Sequence, residues 1–328
     1  MDKPLVSVRL MVYNNEPYIR EAVESILMQE TNFKVEIVVG DDFSTDNTLE
    51  IIKSYADTPN IYFKILERPI GGAYWKDRQR LGRLHNFVNI MDNCQGKYIA
   101  LLDGDDYWTD PLKLQKQVDF LELNQEYVIS SHNAKIINEK GLVIQERKLP
   151  DLSSNKEYSA LDLRKGAFLL TLTLVFRNVI KEFPREFYKV NNGDKFLISL
   201  LGNNGKGIYI ESIQPAMYRV HGESIWSKLS QREKLLGNFK SYNLIKEYQK
   251  KKNNFETVKH LDNHLRKISK DLFLNIDSET KLKNYFFITY YYIKLNKVFQ
   301  SYSQSKNLVK VSLKHFYKIL VKNMLWKK

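Results

Sequence analysis

The stretch that decides the fold is Tyr98-Ile99-Ala100-Leu101-Leu102-Asp103-Gly104-Asp105-Asp106-Tyr107-Trp108. It opens as a short apolar run with aromatic and β-branched members, the pattern of a buried strand. It then turns into three carboxylates within four positions, split by one glycine. Acids so close repel one another, and none can be buried unpaired at low cost. A positive group must face them, and a divalent cation supplies the most charge in the least space. Alternation along an extended chain puts Asp103 and Asp105 on one side and Asp106 on the other. The carboxyl end of a strand is also where open α/β sheets bind ligands. The competing reading is a solvated acidic turn, and the surrounding sequence has to decide.

Outward from this stretch, strands and helices alternate. Residues 5–12 read as a first strand, and residues 17–29 as a helix with Ile19, Ala22, Val23, Ile26 and Leu27 on one face. Residues 35–39 form a second buried strand that ends at Gly40-Asp41-Asp42. Asn47 and Glu50 then have the spacing of a capping box for a helix reaching about Tyr55. Residues 61–66 are a third strand. Gly71-Gly72 breaks the pattern before a helix marked by Leu81, Leu84, Val88 and Met91. After the acids, Asp110-Pro111 puts a cap before a proline at the first helical position of a helix ending near Asn124. Residues 127–147 read as short strands about a Glu139-Lys140-Gly141 turn, residues 168–176 as a strand, residues 194–201 as a helix, and residues 207–218 as two strands broken at Pro215. This alternation predicts an α/β fold with a mainly parallel, doubly wound sheet.

The 328 residues are enough to bury a full core, with 43% hydrophobic and 27% charged residues, as in ordinary globular proteins. A single cysteine, Cys94, excludes a disulfide framework within the chain and fits a reducing compartment. No secretory apolar segment opens the sequence, and no run is long enough to span a bilayer, so a cytoplasmic location is expected. The net charge of +13 is unevenly spread: residues 1–227 balance at −3 and residues 228–328 at +16. That shift predicts two parts, 1–227 and a basic helical region 228–328.

The first strand ends at Tyr13-Asn14-Asn15, the second at Asp41-Asp42, and the later one at the acids. In a parallel sheet these ends share one crevice, which suits a nucleotide: a ring for the base, acids for base N–H and ribose hydroxyls, and a metal for the diphosphate. Neither GxGxxG nor GxxxxGK[ST] is present, so a glycine loop does not hold the phosphates. Packing for Tyr13 and helix capping for Asp42 remain open as alternatives.

The segments VSVRLMVYN, VVGDDFSTDNT and GKYIALLDGDDYWTDPLKLQKQVDFL together resemble the inverting family 2 glycosyltransferases of GT-A fold, and are similar to bacterial members from capsule, O-antigen and exopolysaccharide synthesis. The resemblance covers about residues 5–227. It implies transfer of a sugar from a nucleotide-sugar donor, UDP-linked, to a glycan or lipid-linked acceptor with inversion, assisted by Mn2+ or Mg2+. It places Tyr13 beside the base and Asp42 on its edge. It lines the donor pocket with Arg83 and Asn86, sets Asp103 near the ribose and Asp105 on the metal, and leaves Asp106 as a neighbouring acid of variable role. Asn192-Gly193-Asp194 resembles the segment carrying the catalytic base, which makes Asp194 the candidate. Tyr218-Arg219-Val220-His221-Gly222-Glu223-Ser224 resembles a closing motif in which His221 completes the metal or diphosphate site. Asp194 as a helix N-cap, His221 as a packed histidine and Arg219 as a salt-bridge partner in place of a diphosphate clamp are the alternatives.

The basic region permits three readings: docking on an anionic membrane surface with aromatics such as Tyr285, Tyr290 and Trp326 at the interface, a solvated helical bundle, or nucleic-acid binding, which ranks well behind. The location implied by the first is peripheral, on the inner face of the cell membrane. The alternative functions are a metal-dependent nucleotidyltransferase and a nucleic-acid-binding protein.

Overall fold

The computed structural model describes residues 3–150, 156–222, 229–274 and 282–296. Two compact units emerge, Met1–Lys189 with Gly193–Lys228, and Val190–Asn192 with Leu229–Lys328. The first unit begins with β1 (Val6–Val12), α1 (Ile19–Leu27), β2 (Val35–Asp41), α2 (Thr48–Lys53), β3 (Ile61–Ile65), α3 (Ala73–Leu81), α4 (Leu84–Asp92) and β4 (Tyr98–Asp103). It continues with α5 (Lys113–Leu123), β5 (Tyr127–Ser131), β6 (Ala134–Ile137), β7 (Val143–Gln145), β8 (Lys156–Tyr158), α6 (Ala160–Arg164), β9 (Val175–Arg177), α7 (Gly193–Leu201), β10 (Lys206–Tyr209) and β11 (Ala216–Arg219).

The eight strands of the main sheet run in the order β3-β2-β1-β4-β9-β5-β10-β8. β1 pairs in parallel with β2 and β4, and β2 with β3, which accounts for their nearly continuous apolar sequences: both faces are covered. β9 runs antiparallel between β4 and β5, so the sheet is mixed. A second sheet, β11-β6-β7, carries the end of β11 back towards the acids. Register puts Met11 opposite both Asp103 and Gly40, so Tyr13, Asp42 and Asp103 leave the sheet side by side. At the other end of these strands, Ser7 Oγ donates to Glu36, and Glu36 and Ser7 accept the Gln95 and Gly96 backbone N–H groups. Ser7 and Glu36 are fully buried and tie β1, β2 and the entry to β4 together.

Four sequence readings are corrected. The predicted helix through Leu81 and Leu84 is two helices broken at Gly82, whose φ of 83° needs glycine. α3 buries no residue and so has no apolar stripe to betray it. Within residues 168–176 only Val175–Arg177 with its neighbours pairs as a strand; Thr171–Thr173 forms a 3-10 turn whose Leu172 carbonyl accepts the Trp108 indole N–H at 2.7 Å. Asn47 caps nothing with its side chain, which donates to Glu16; Asp46 takes the Thr48 N–H and hydroxyl instead. α5 starts at Lys113, so Pro111 stands outside it, in a turn where Asp110 accepts the Leu112 N–H.

The second unit is helical: α8 (Gln231–Lys251), α9 (Phe255–Leu274) and α10 (Leu282–Asn296). Ser230 and Glu233 form a reciprocal capping box on α8, and Phe239, Leu265, Leu272, Phe273 and Ile288 make the core. Phe286 and Tyr290, four apart on α10, stay exposed. The Tyr285 side chain, Glu223-Ser224 and Trp326 lie outside the described residues. Among the described residues no helix is long and apolar enough to cross a membrane.

Candidate active site

The loops after β1 and β2 are stitched to each other. The Asn14 N–H donates to Ser44 Oγ at 2.9 Å, the Thr45 N–H to Asn14 Oδ1 at 2.8 Å, and the Asn15 N–H to Thr48 Oγ1 at 2.8 Å. The turns are sharp enough to hold two non-glycine residues in the left-handed region, Asn14 at φ 50° and Phe43 at 68°. For a phenylalanine this is strained, at a cost of roughly 1–3 kcal/mol. Each strained residue directly follows a predicted donor residue, Tyr13 and Asp42. Tyr13 is 57% exposed and free to meet a ring.

Asp42 is not a helix cap. Its carboxylate accepts from Tyr74 Oη at 3.0 Å and is gripped by Arg78 Nε and Nη2 at 2.8–3.0 Å. Tyr74 is fixed in turn by Arg68, whose guanidinium lies 3.9 Å from its ring centroid, and by His85 at 5.1 Å between ring centroids. Asn86 is buried behind this group, accepting from Arg68 at 2.6 Å and donating to the Gly40 carbonyl at 3.2 Å. It therefore bears on the crevice through Arg68 and the end of β2.

Three acids follow β4. Asp103 pairs with Arg9 at 2.9 Å, and Arg9 is fully buried in the middle of β1. Burial raises the Asp103 carboxyl, Arg9 opposes it, and Asp105 and Asp194 push it further up. Asp105 Oδ2 lies 3.0 Å from His221 Nε2, and the His221 ring packs on Tyr18. Asp106 turns inward, 5% exposed, and accepts the Arg219 N–H at 2.9 Å. Burial, then the Asp105 charge, raises its carboxyl well above the ordinary range. Arg219 is itself buried: it donates to the Asp105, Asn138 and Glu139 carbonyls and to Glu21. With its donors committed to protein, Arg219 favours the structural alternative over the diphosphate clamp.

Asp194 is the second residue of α7 and not its N-cap. It accepts the Lys195 N–H at 2.8 Å and the Thr171 hydroxyl at 3.3 Å. Its charge supports the Arg83 guanidinium, which desolvation otherwise lowers. The convergence of the acids shows at Tyr218: burial first, then Asp106, Asp105, Asp103 and Asp194, all raise its phenol. Lys148 Nζ sits 3.0 Å from the Tyr218 ring centroid, and burial brings its ammonium down to about 8 against the pull of Asp106. Sequence reasoning missed Arg9, Tyr74, Arg78 and Lys148. Arg9 alone carried a signal, a charge inside an apolar strand.

Among the described residues no three His, Cys, Asp or Glu side chains form a closed metal cage. The donor set is nonetheless suited to a hard divalent cation. The Asp105 charge helps to raise the carboxyls of Asp103 and Asp106, which a cation would relieve, and Asp105 with His221 would hold it.

Residues 7–182 match the family model described as Glycosyl transferase family 2. The chain belongs to glycosyltransferase family 2. That family is an inverting one, and the fold is the α/β GT-A-like fold followed by helices. An uncharacterized protein of Mycobacterium tuberculosis is 32% identical over 224 residues, 67% of this chain and 60% of that protein. A glycosyltransferase assigned to teichuronic acid biosynthesis in Bacillus subtilis, TuaG, is 35% identical over 120 residues, 36% of this chain and 42% of that protein. The chain therefore spans less than two thirds of these relatives. Staphylococcus aureus TarS 1-349 in complex with UDP superposes with a TM-score of 0.59 at 17% identity, over 98% of this chain and 91% of that one. The mannosyltransferase PcManGT of Pyrobaculum calidifontis, in complex with GDP-Man and Mn2+, gives 0.53 at 14% identity, over 99% and 88%.

Proposed function

We propose that this family 2 enzyme transfers a sugar from a UDP-linked donor, with inversion, to a glycan or lipid-linked acceptor of a bacterial surface polysaccharide. The observation that carries the reading is the Asp105–His221 pair at 3.0 Å, flanked by Asp103, with Asp194 close enough to raise the Asp103 carboxyl. Tyr13 stacks on the base, Asp42 accepts its N–H, and Asp103 accepts from the ribose. Asp194 removes the proton from the acceptor hydroxyl, and Thr171 and the Lys195 N–H orient it. Asp105 and His221 would hold a divalent cation, which when bound would supply charge stabilisation to the departing diphosphate. Arg219 fixes the acids from behind, and the Lys148 charge, held on the Tyr218 ring, opposes that of Asp106.

The assignment of TuaG to teichuronic acid biosynthesis supports a polysaccharide acceptor, the UDP complex of TarS a UDP-linked donor, and PcManGT with GDP-Man and Mn2+ a metal-assisted nucleotide-sugar. The +16 balance of residues 228–328 and the exposed Phe286 and Tyr290 suit an anionic membrane surface, which supports a peripheral location on the inner face of the cell membrane. The test is incubation of the full chain with a panel of nucleotide-sugars, Mn2+ and a bacterial membrane extract as acceptor source. The expected product is free UDP. Pyrophosphate released from a nucleoside triphosphate, with no UDP from any sugar, points to a nucleotidyltransferase and refutes the proposal.

A further inference from the structure

Asp42 already carries three donors. Tyr74 Oη donates to Oδ1 at 3.0 Å and Arg78 Nη2 to Oδ2 at 2.8 Å, while Arg78 Nε lies 2.9 Å from Oδ1 and 3.0 Å from Oδ2. An ionised carboxylate has about four lone-pair positions. With Nε counted on the nearer oxygen, Oδ1 is filled and Oδ2 keeps one position. The Tyr74 hydroxyl is not free to swing aside, because Arg68, His85 and Phe43 pack round its ring, and Arg78 is held to Asp42 by its fork. Both sit on α3, a helix that buries nothing of its own and begins and ends at glycines, Gly72 and Gly82.

We propose that Arg78 and Tyr74 make the base pocket select uracil over guanine, by leaving Asp42 a single acceptor position. This rests on the reading of Asp42 as the acid that faces the base. Uracil presents one N–H, at N3, between two carbonyls. Guanine presents N1–H and the N2 amino group side by side, and a carboxylate satisfies both only with both oxygens. The fork with Asp42 uses two of the five N–H groups of Arg78, and the others suit a uracil carbonyl beside N3. Guanine in this pocket would leave an N–H unpaired, and buried unpaired polar groups are what make such sites discriminate.

The experiment is calorimetric binding of UDP and of GDP, each with Mn2+, to the full chain and to variants whose melting curves show them folded. One charge-assisted hydrogen bond is worth about ten-fold in affinity or more, so the wild type should prefer UDP by at least that factor. Arg78→Ala frees Asp42 and should shrink the UDP-to-GDP preference by about the same factor. Tyr74→Phe removes only the hydroxyl and should shrink it in the same direction, which decides the matter if Arg78→Ala does not fold. A merely structural role would lower both affinities together and leave their ratio alone. Equal binding of the two nucleotides by the wild type, binding of neither, or a ratio unmoved in the variants overturns the proposal. Asp42→Asn separates the causes. Unchanged UDP affinity in that variant sinks the reading of Asp42 itself, whereas lost UDP affinity with an unmoved ratio sinks only the selectivity.

Discussion

Asp194→Asn divides chemistry from structure most cleanly. At the second position of α7 the carboxylate gains from the helix N-terminus about 0.3–1 kcal/mol, which asparagine forfeits. The amide oxygen can still accept the Lys195 N–H and the Thr171 hydroxyl. A loss of that size lowers Tm by only about 1–4 °C in a unit of this size. A general base is worth at least about 10²-fold in kcat, or about 2.7 kcal/mol of barrier. The two magnitudes do not overlap. Donor affinity should hold within about three-fold, because Asp194 acts on Asp103 only through space. The assay is the initial rate of UDP release with acceptor extract, beside UDP–Mn2+ binding and a melting curve on the same preparation. An asparagine variant with more than about half the wild-type rate at nearly unchanged Tm would refute the base assignment, since no base contributes so little.

Asp105→Asn and His221→Gln should each abolish the Mn2+-dependent part of UDP affinity while leaving the fold intact; calorimetry with and without Mn2+ that shows no change in either variant rules out the pair as the metal site. The raised carboxyl of Asp106 means that its contribution to stability is fully present below the unfolded carboxylate pKa and is lost as pH rises through the folded one. Asp106→Asn keeps an acceptor for the Arg219 N–H, so its Tm should gain on the wild type as pH rises from 4 to 8, and a difference flat in pH contradicts this. Gly104→Ala would bring Cβ to 2.8 Å from Asn15 Oδ1 and Val12 Cγ1, and should cost about 1–3 kcal/mol in chemical denaturation and weaken UDP binding through the Tyr13 turn. Co-sedimentation of the full chain with vesicles should require anionic lipid and fade with salt; equal binding to neutral vesicles argues against electrostatic docking.

What the sequence made legible was whatever rests on period and burial. The apolar runs of β1, β2 and β4 could only be strands covered on both faces, and the acids after β4 announced themselves by composition. Apolar residues also fill turns, and nothing in the 168–176 pattern foretold that Leu172 would turn its carbonyl to Trp108. α3 was invisible for the opposite reason, since a helix with no buried residue has no period to read. The acids themselves were found, but their partners were not. Arg9 reaches Asp103 across two neighbouring strands, and Arg78 reaches Asp42 across 36 positions, so each pairing exists only once the sheet has set its register.

That register has its anchor far from the chemistry. Ser7 and Glu36 with the Gln95 and Gly96 amides stand four residues before Met11, the position level with Asp103, or about 13 Å at the usual rise of a strand. A slip of a single residue between β1 and β4 would carry Asp103 about 3.3 Å along and turn it to the opposite face, away from Arg9. A change at Ser7 or Glu36 can therefore silence the enzyme without touching any group that meets substrate. In a screen for inactive variants, such positions would masquerade as catalytic ones. Only a structure-sensitive measurement beside the activity assay would tell a broken ruler from a missing tool.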